Sequence, residues 1–460
     1  MPSEIEPTAT TEQAAAGANA APEQAEAEAA APGRASTPEQ AVAPEQPSTT
    51  ERICELAARI ESDIIAWRRH LHRHPELGAH EVETSAFIRQ KLDEWSIDYR
   101  IVEGTRPAEL ADERPDFIGT GIIATIRGEA PGAYDAAGKP AKRIALRTDM
   151  DALPIAERTG FDYASETGGV MHACGHDCHM AMMLGTVRML NDLRERLHGE
   201  VRIIFQPAEE ISIGARDMIA AGALEGVDAI YAAHIWSEVD AGTISCEAGP
   251  RMAFTDWFRI DIEGVSAHGS MPHKGIDAIV IAAEIVDALQ VIVSRRISPF
   301  EPMVITVGEI HGGTARNIMA GSAYLTGTLR TWHPNVRERA IDRIERVAGK
   351  TSHAFGAQIK FSFEKGNPAV ANDEACAAVA RQAVQKTLGE QAVGAYEGTL
   401  AGEDFAEYLQ HVPGVLVFVG TNNPEIGAIH PQHSCYYTID ETMLAKGALV
   451  ATQWACDMLA

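Results

Sequence analysis

The sequence predicts an α/β fold: a mixed, mostly parallel sheet flanked by helices, with an inserted α+β domain of a four-stranded antiparallel sheet and two helices. Three observations carry this expectation. Short apolar runs of strand character alternate with amphipathic helical patterns, as in sheets covered by helices. After Gly249 the order changes to strand, helix, strand, strand, helix, strand, and later changes back. At 460 residues with 45% hydrophobic content, the chain is too long for one core and apolar enough for two.

Taken in order, the elements begin after a biased segment. Residues 1–50 are dominated by Ala, Glu, Pro, Gln, Ser and Thr, contain no aromatic residue, and have Arg34 as their only basic group. With so little to bury, this stretch cannot offset its ordering entropy and is expected to be a disordered tail. Its start, MPSEIEPTATTEQ, lacks the basic and apolar regions of a signal peptide. Ile60, Ile64, Ile65, Trp67 and Leu71 then follow helical spacing, and Pro75 ends the helix. Strands are expected at 143–146, 201–205, 229–233 and 415–419, and Met180, Met183, Leu184, Val187 and Leu190 mark one face of a helix. The inserted domain is expected over 250–365, with strands at 254–262, 303–310, 323–331 and 358–363 and helices near 276–293 and 335–355. One domain is thus expected from 51–249 with 366–460, interrupted by the other.

The formal net charge of −26 excludes phosphate backbones and anionic membranes as natural partners. Seven widely spaced cysteines form no disulfide framework and point to a reducing, cytoplasmic setting. No window is apolar for long enough to span a bilayer.

In α/β sheets, ligands sit off the carboxyl ends of the strands. There the chain places Asp149 and Asp151, Glu209 and Glu210, and His234, while His172-Ala-Cys174-Gly-His176-Asp177 precedes a helix. Cys174 and His176 both reach one metal if the backbone bends at Gly175, and thiolate with imidazole suits zinc. Of the adjacent glutamates, one binds metal while the other keeps a proton-accepting carboxylate beside activated water. Singly, each residue has an ordinary reading: a core cysteine, a hydrogen-bonded core histidine, a solvated acidic pair. Their concentration at strand ends favours a site.

HLHRHPELG, ALRTDMDALPI, MHACGHDCHM, FQPAEE with AAH, GVSAHGSMPH, ITVGEIHGGTARNIM, LTGTLRT, AGEDFA and HSCYYTIDE occur in this order. Over residues 59–460 the chain resembles the aminoacylase and carboxypeptidase family of dimetal hydrolases, in the branch of hippurate, indoleacetyl-amino-acid and N-acyl-amino-acid hydrolases. The resemblance implies two divalent metal ions per subunit, with Cys174 bridging them and His176, Glu210, His234 and His433 as the remaining ligands. His430 is a rival to His433. Thiolate and imidazole favour zinc, whereas the carboxylates leave manganese open. Glu209 matches the general base, and Asp151 a carboxylate that orients a ligand.

The family places the inserted domain as a lid and dimer contact. His268 would stabilise the oxyanion, reaching the site on closure or from a partner subunit, while Asn317 and Arg330 would hold the substrate carboxylate. Individually these three read as a loop histidine, a turn asparagine and a surface arginine. The implied activity is hydrolysis of N-acyl-L-amino acids by a homodimer or larger homo-oligomer. Alternatives are a metallo-dipeptidase or carboxypeptidase, and a non-catalytic protein binding amino-acid derivatives; an intact Glu209 speaks against the second. A redox role for Cys174 and Cys178 is disfavoured by the surrounding histidines and acids. Two departures from the family pattern stand out: Ile211-Ser-Ile213-Gly214 where relatives are glycine-rich, which bears on acyl preference, and Cys435 where relatives often have proline.

Overall fold

The computed structural model describes residues 47–104 and 119–460. The expected tail lies outside the described residues as far as Gln46. The first described helix, α1 (Thr49–Arg73), starts slightly before the expected boundary and is capped by Ser48. The Ser48 hydroxyl accepts the Glu51 N–H at 3.2 Å, and the Glu51 carboxylate accepts the Ser48 N–H at 2.8 Å. This reciprocal box satisfies two donors that a helix start leaves open. Pro75 stands just beyond the last turn, as its ring requires.

The larger sheet has the strand order β1 (Asp98–Val102), β2 (Gly121–Arg127), β4 (Glu200–Gln206), β3 (Arg143–Asp149), β5 (Ala229–Asp240), β16 (Gly414–Asn422), β6 (Ile244–Ser245), β15 (Val393–Gly394). Its centre, β4-β3-β5-β16, is parallel, whereas β1, β2 and β6 pair antiparallel towards the edges. Alternation along each strand serves two cores. Ile144, Leu146, Ile203, Val415 and Val417 face one side. There they meet α1, α2 (Val82–Glu94), α3 (His176–Asp192), α7 (Glu374–Leu388) and α9 (Thr442–Leu459). Ala145, Ile204, Ile230, Ala232 and Leu416 face the other, under the short helices α4 (Gly214–Ala220) and α8 (Phe405–Tyr408). Helices thus flank both faces, the long ones all on one.

The smaller sheet, β10 (Met303–Gly312), β12 (Ser322–Thr331), β8 (Phe254–Glu263) and β13 (Gln358–Lys365), is antiparallel throughout. Ile260, Ile262, Leu325 and Leu329 pack beneath α5 (Ala278–Arg296) and α6 (Pro334–Ala354), forming a separate core. Where the chain leaves and re-enters the larger fold, β7 (Gly249–Met252) pairs with β14 (Val370–Asn372). A second ribbon joins β9 (Ala267–His268) to β11 (Ile318–Met319).

One element runs longer than its sequence pattern. The strand expected to stop before His234 continues to Asp240. Its pairing with β3 ends at Ala232, while its pairing with β16 continues past His234. His234 therefore sits where one neighbouring strand has ended, and this clears space beside its ring. All seven cysteines are unpaired. Among the described residues no helix is long and apolar enough to cross a membrane.

Candidate active site

The turn after β4, the middle of β5 and the segment leading into α3 converge on one cleft of about 520 Å³, lined among others by Cys174, Glu209, Glu210, His234, Arg330 and His433. Of the potential ligand triads that overlap there, one joins His176, Glu209 and Glu210, and two share Cys174. Donor atoms of Cys174, His176 and His234 lie within 4.8 Å of one another, as do those of Cys174, Glu210 and His433. Cys174 belongs to both. Its Sγ is 3.6 Å from His234 Nε2. Glu210 Oε1 lies 3.8 Å from His176 Nε2 and 3.6 Å from His433 Nε2.

The backbone makes this convergence. Gly175 adopts φ 95°, and a Cβ there would overlap the Ile235 side chain, so only glycine lets Cys174 and His176 turn to one point. Ala208, Ser212 and His433 also take positive φ, a strained choice for residues with side chains. Asp151 holds the glutamate turn: its two oxygens accept the N–H groups of Glu209 at 3.1 Å and Glu210 at 3.0 Å. Its Oδ1 also lies 3.3 Å from His176 Nδ1.

Hydrogen bonds sort the histidines. His234 donates its Nδ1 proton to the Ile235 carbonyl at 2.6 Å, which leaves the Nε2 lone pair facing Cys174. His179 donates from Nδ1 to Asp149 at 2.7 Å and accepts the Ile235 N–H on Nε2 at 2.9 Å, so neither nitrogen is free to ligate. Asp177 is engaged by Arg68 at 2.7 Å and His72 at 2.8 Å. Both bonds fall on Asp177 Oδ2. Its Oδ1, both nitrogens of His172, His176 Nε2 and Glu210 Oε1 are buried without a hydrogen-bond partner among the described residues. Of these, His176 and Glu210 belong to the ligand groups around Cys174.

The electrostatics agree with that sorting. Burial, reinforced by Glu403, Asp404 and Glu210, holds the Glu209 carboxyl well above its usual range. Burial pushes Glu210 up to about 7, against the pull of His176. The Cys174 thiol is raised by burial and then by Glu210, while burial holds His234 well below the ordinary imidazole value. These four shifts oppose charge, whereas Asp149 and Asp151 hold His176 well above the ordinary imidazole value against its burial. A bound cation would reverse the carboxyl and thiol shifts and deepen that of His234. Soft and hard donors with unpartnered buried atoms are a set that fits divalent metal.

Several contributors had no role assigned from sequence. Arg147 bridges Asp149 at 2.8 Å, Asp404 at 2.7 Å and Glu403 at 3.0 Å, behind the cleft. The Asp404 N–H donates to Glu209 Oε1 at 3.2 Å. The AGEDFA segment was the available signal, but nothing in its spacing tells that it reaches Glu209. Glu81 is also buried, and burial with the nearby Asp151 carboxylate pushes it up to about 8.

Residues 250–365 contribute unevenly to the cleft. Arg330 lines the cleft with Nη1 buried and unpartnered among the described residues. His268 and Asn317 are exposed and lie outside the cleft lining, brought together by the β9–β11 ribbon, where the Gly269 N–H meets the Asn317 carbonyl at 2.9 Å. His268 Nδ1 accepts from the Ser270 hydroxyl at 2.8 Å and N–H at 3.2 Å, which puts its proton on Nε2.

A profile described as peptidase family M20/M25/M40 matches residues 145–456. The chain is a member of that family. It is 40% identical over 389 residues to an N-acetyl-L-cysteine deacetylase of Bacillus subtilis, covering 85% of this chain and 86% of the relative. It is 37% identical over 404 residues to thermostable carboxypeptidase 1 of Saccharolobus solfataricus, covering 87% and 96%. The crystal structure of a dinuclear metal-binding peptidase of the M20 family from Bacillus subtilis is similar with a TM-score of 0.73 and 36% identity, covering 87% of this chain and 99% of that one. Both triads that share Cys174, with Glu209, fall inside the segment matched to the M20/M25/M40 profile.

Proposed function

We propose that this chain hydrolyses N-acyl-L-amino acids to a carboxylic acid and a free amino acid, using two divalent metal ions. The observation that carries the reading is the pair of ligand triads sharing Cys174 beside the buried Glu209. Membership of the M20 family and the deacetylase relative support amide hydrolysis. Cys174, His176 and His234 would hold one ion; Cys174, Glu210 and His433 the other. Zinc suits the thiolate and imidazoles, and manganese is the second candidate. Bound there, the cations supply Lewis acidity and lower the pKa of water.

The chain's own residues do the rest. Glu209 takes a proton from the attacking water and returns it to the leaving amine, a shuttle suited to a carboxyl with a raised pKa. Asp151 fixes the glutamate turn and faces His176. Arg330, with a buried unpartnered nitrogen, takes the substrate carboxylate, and Asn317 joins it. His268 Nε2–H meets the oxyanion once residues 250–365 close as a lid, or from the lid of a partner subunit. A homodimer through this region accords with β10 being a sheet edge with exposed Val304 and Ile310, beside exposed Ile279, Val280 and Val291 on α5. We place the enzyme in the cytoplasm, without nucleic-acid or membrane partners.

The carboxypeptidase relative favours a second reading, cleavage of peptides at the same centre. Amino-acid release from N-acetyl, N-benzoyl and N-indoleacetyl amino acids and from dipeptides tests both. Turnover of acyl substrates supports the first reading and ranks the acyl groups. Turnover of dipeptides alone moves the chain to the second. No turnover by fully metallated protein rejects both.

A further inference from the structure

Behind the catalytic turn lies a buried carboxyl that the proposed mechanism does not use. Glu81 precedes α2, yet it does not cap that helix; the Glu76 carboxylate accepts the N–H groups of Glu83 at 3.1 Å and Thr84 at 2.8 Å instead. The Glu81 side chain turns inward and is fully buried. Its Oε1 accepts the N–H groups of Ala79 at 3.0 Å and Ala208 at 2.8 Å, and its Oε2 accepts the Thr120 hydroxyl at 2.8 Å.

Both alanines held by that oxygen are in the left-handed region, Ala79 at φ 64° and Ala208 at φ 56°. A residue with a Cβ stays there only when its surroundings over-determine it. Ala208 leads directly into Glu209 and Glu210, whose N–H groups Asp151 holds. Three successive amides are therefore gripped by two buried carboxyls from distant parts of the chain. The two turns also touch, since a Cβ at Gly78 would stand 3.3 Å from Ala208 Cα and 3.1 Å from Asp151 Oδ2. Burying a carboxyl is costly unless its hydrogen bonds are met. Here they are met by the strained backbone that aims the two glutamates.

We propose that Glu81 is a positioning residue for the amide hydrolysis: by fixing Ala208 in its left-handed conformation, it aims the Glu209 carboxylate at the attacking water. This rests on Glu209 being the general base. Asp151 fixes the amides of Glu209 and Glu210, whereas Glu81 sets the direction from which the turn enters. Glu81 also lies outside residues 145–456, so it belongs to a segment the family profile does not match.

The test compares holoenzyme carrying Glu81→Ala, Glu81→Gln or Glu81→Asp with wild type and Glu209→Gln, measuring kcat, KM, bound metal and Tm. Misplacing a reacting group by about 1 Å costs on the order of 100-fold. Glu81→Ala should therefore lose kcat by about that factor, with KM and metal content close to wild type. Glu81→Gln keeps an acceptor for both alanine amides and should restore most of the rate. Glu81→Asp, whose acceptor is drawn back by one methylene, should fall between them and serves if the alanine variant does not fold. Unchanged kcat in Glu81→Ala or Glu81→Asp, with only a lower Tm, would overturn the proposal and leave Glu81 a structural residue. A glutamine variant as slow as the alanine variant, at normal Tm, would also overturn it. If Glu209→Gln keeps full activity, the reading of Glu209 fails and this proposal with it. If Glu209→Gln is inactive while the Glu81 variants keep wild-type kcat, the failure is confined to Glu81.

Discussion

The ligand cluster and the β9–β11 ribbon both carry polar residues suited to one reaction, but they are held in opposite ways. At the cluster, Asp151, Asp404 and the Ile235 carbonyl fix the glutamates and His234, and His176 is fully buried. At the ribbon, His268 and Asn317 are exposed, and among the described residues the His268 ring is hydrogen-bonded only within its own turn. Arg330 stands between these extremes, half-buried in the cleft with a buried nitrogen unpartnered among the described residues. On the proposed mechanism, the contrast would separate groups aligned before substrate arrives from groups that gain partners on binding, closure or association.

The sharpest challenge to that contrast is Glu209→Gln, which removes the proton acceptor and leaves a side chain of the same shape. We expect kcat to fall by about 10²- to 10⁴-fold with metal content unchanged. A loss of metal together with rate would make Glu209 a ligand rather than a base. Next in size, His268→Ala should lower kcat by about 10²- to 10³-fold, the range for one oxyanion donor. Mixing this variant with Glu209→Gln under conditions of subunit exchange then sharpens the picture. Recovered activity means that His268 serves a partner subunit's cleft, and no recovery means that it serves its own by closure.

Arg330→Ala should lower kcat/KM by about 10- to 100-fold for substrates with a free carboxylate. It should do far less for the corresponding amino-acid amides, and equal losses on both would sever Arg330 from carboxylate binding. The smallest effect is expected far from the cleft. Ser48→Ala removes one half of the α1 capping box and should cost about 1 kcal/mol of stability in denaturant unfolding, with kcat untouched.

Much of the fold was legible because periodicity and sheet layering impose the same pattern. The runs at 143–146, 201–205 and 415–419 are cores of β3, β4 and β16, whose alternate residues are buried on both faces. The short pairs β9–β11 and β7–β14 were not legible, since two to four residues carry no period. Of the site, the residue types and strand-end positions were readable. The resemblance singled out His176 among His176, Asp177 and His179, but residue type and spacing alone did not, because the engagement of the other two depends on Asp149, Arg68, His72 and the Ile235 amide, all brought from elsewhere.

By itself the sequence determined the layered fold, the inserted sheet with its two helices, and the family's motifs in order. These are set by side-chain period, chain order and residue type, which are properties of the chain before it folds. Only the tertiary structure decided that both nitrogens of His179 and one oxygen of Asp177 are already engaged, and that Glu81 grips the turn bearing Glu209. Those outcomes depend on hydrogen bonds and burial between segments far apart in sequence. A carboxyl or imidazole has no fixed role until such neighbours choose which of its atoms are used, which carry a proton, and which are left for a metal or a substrate.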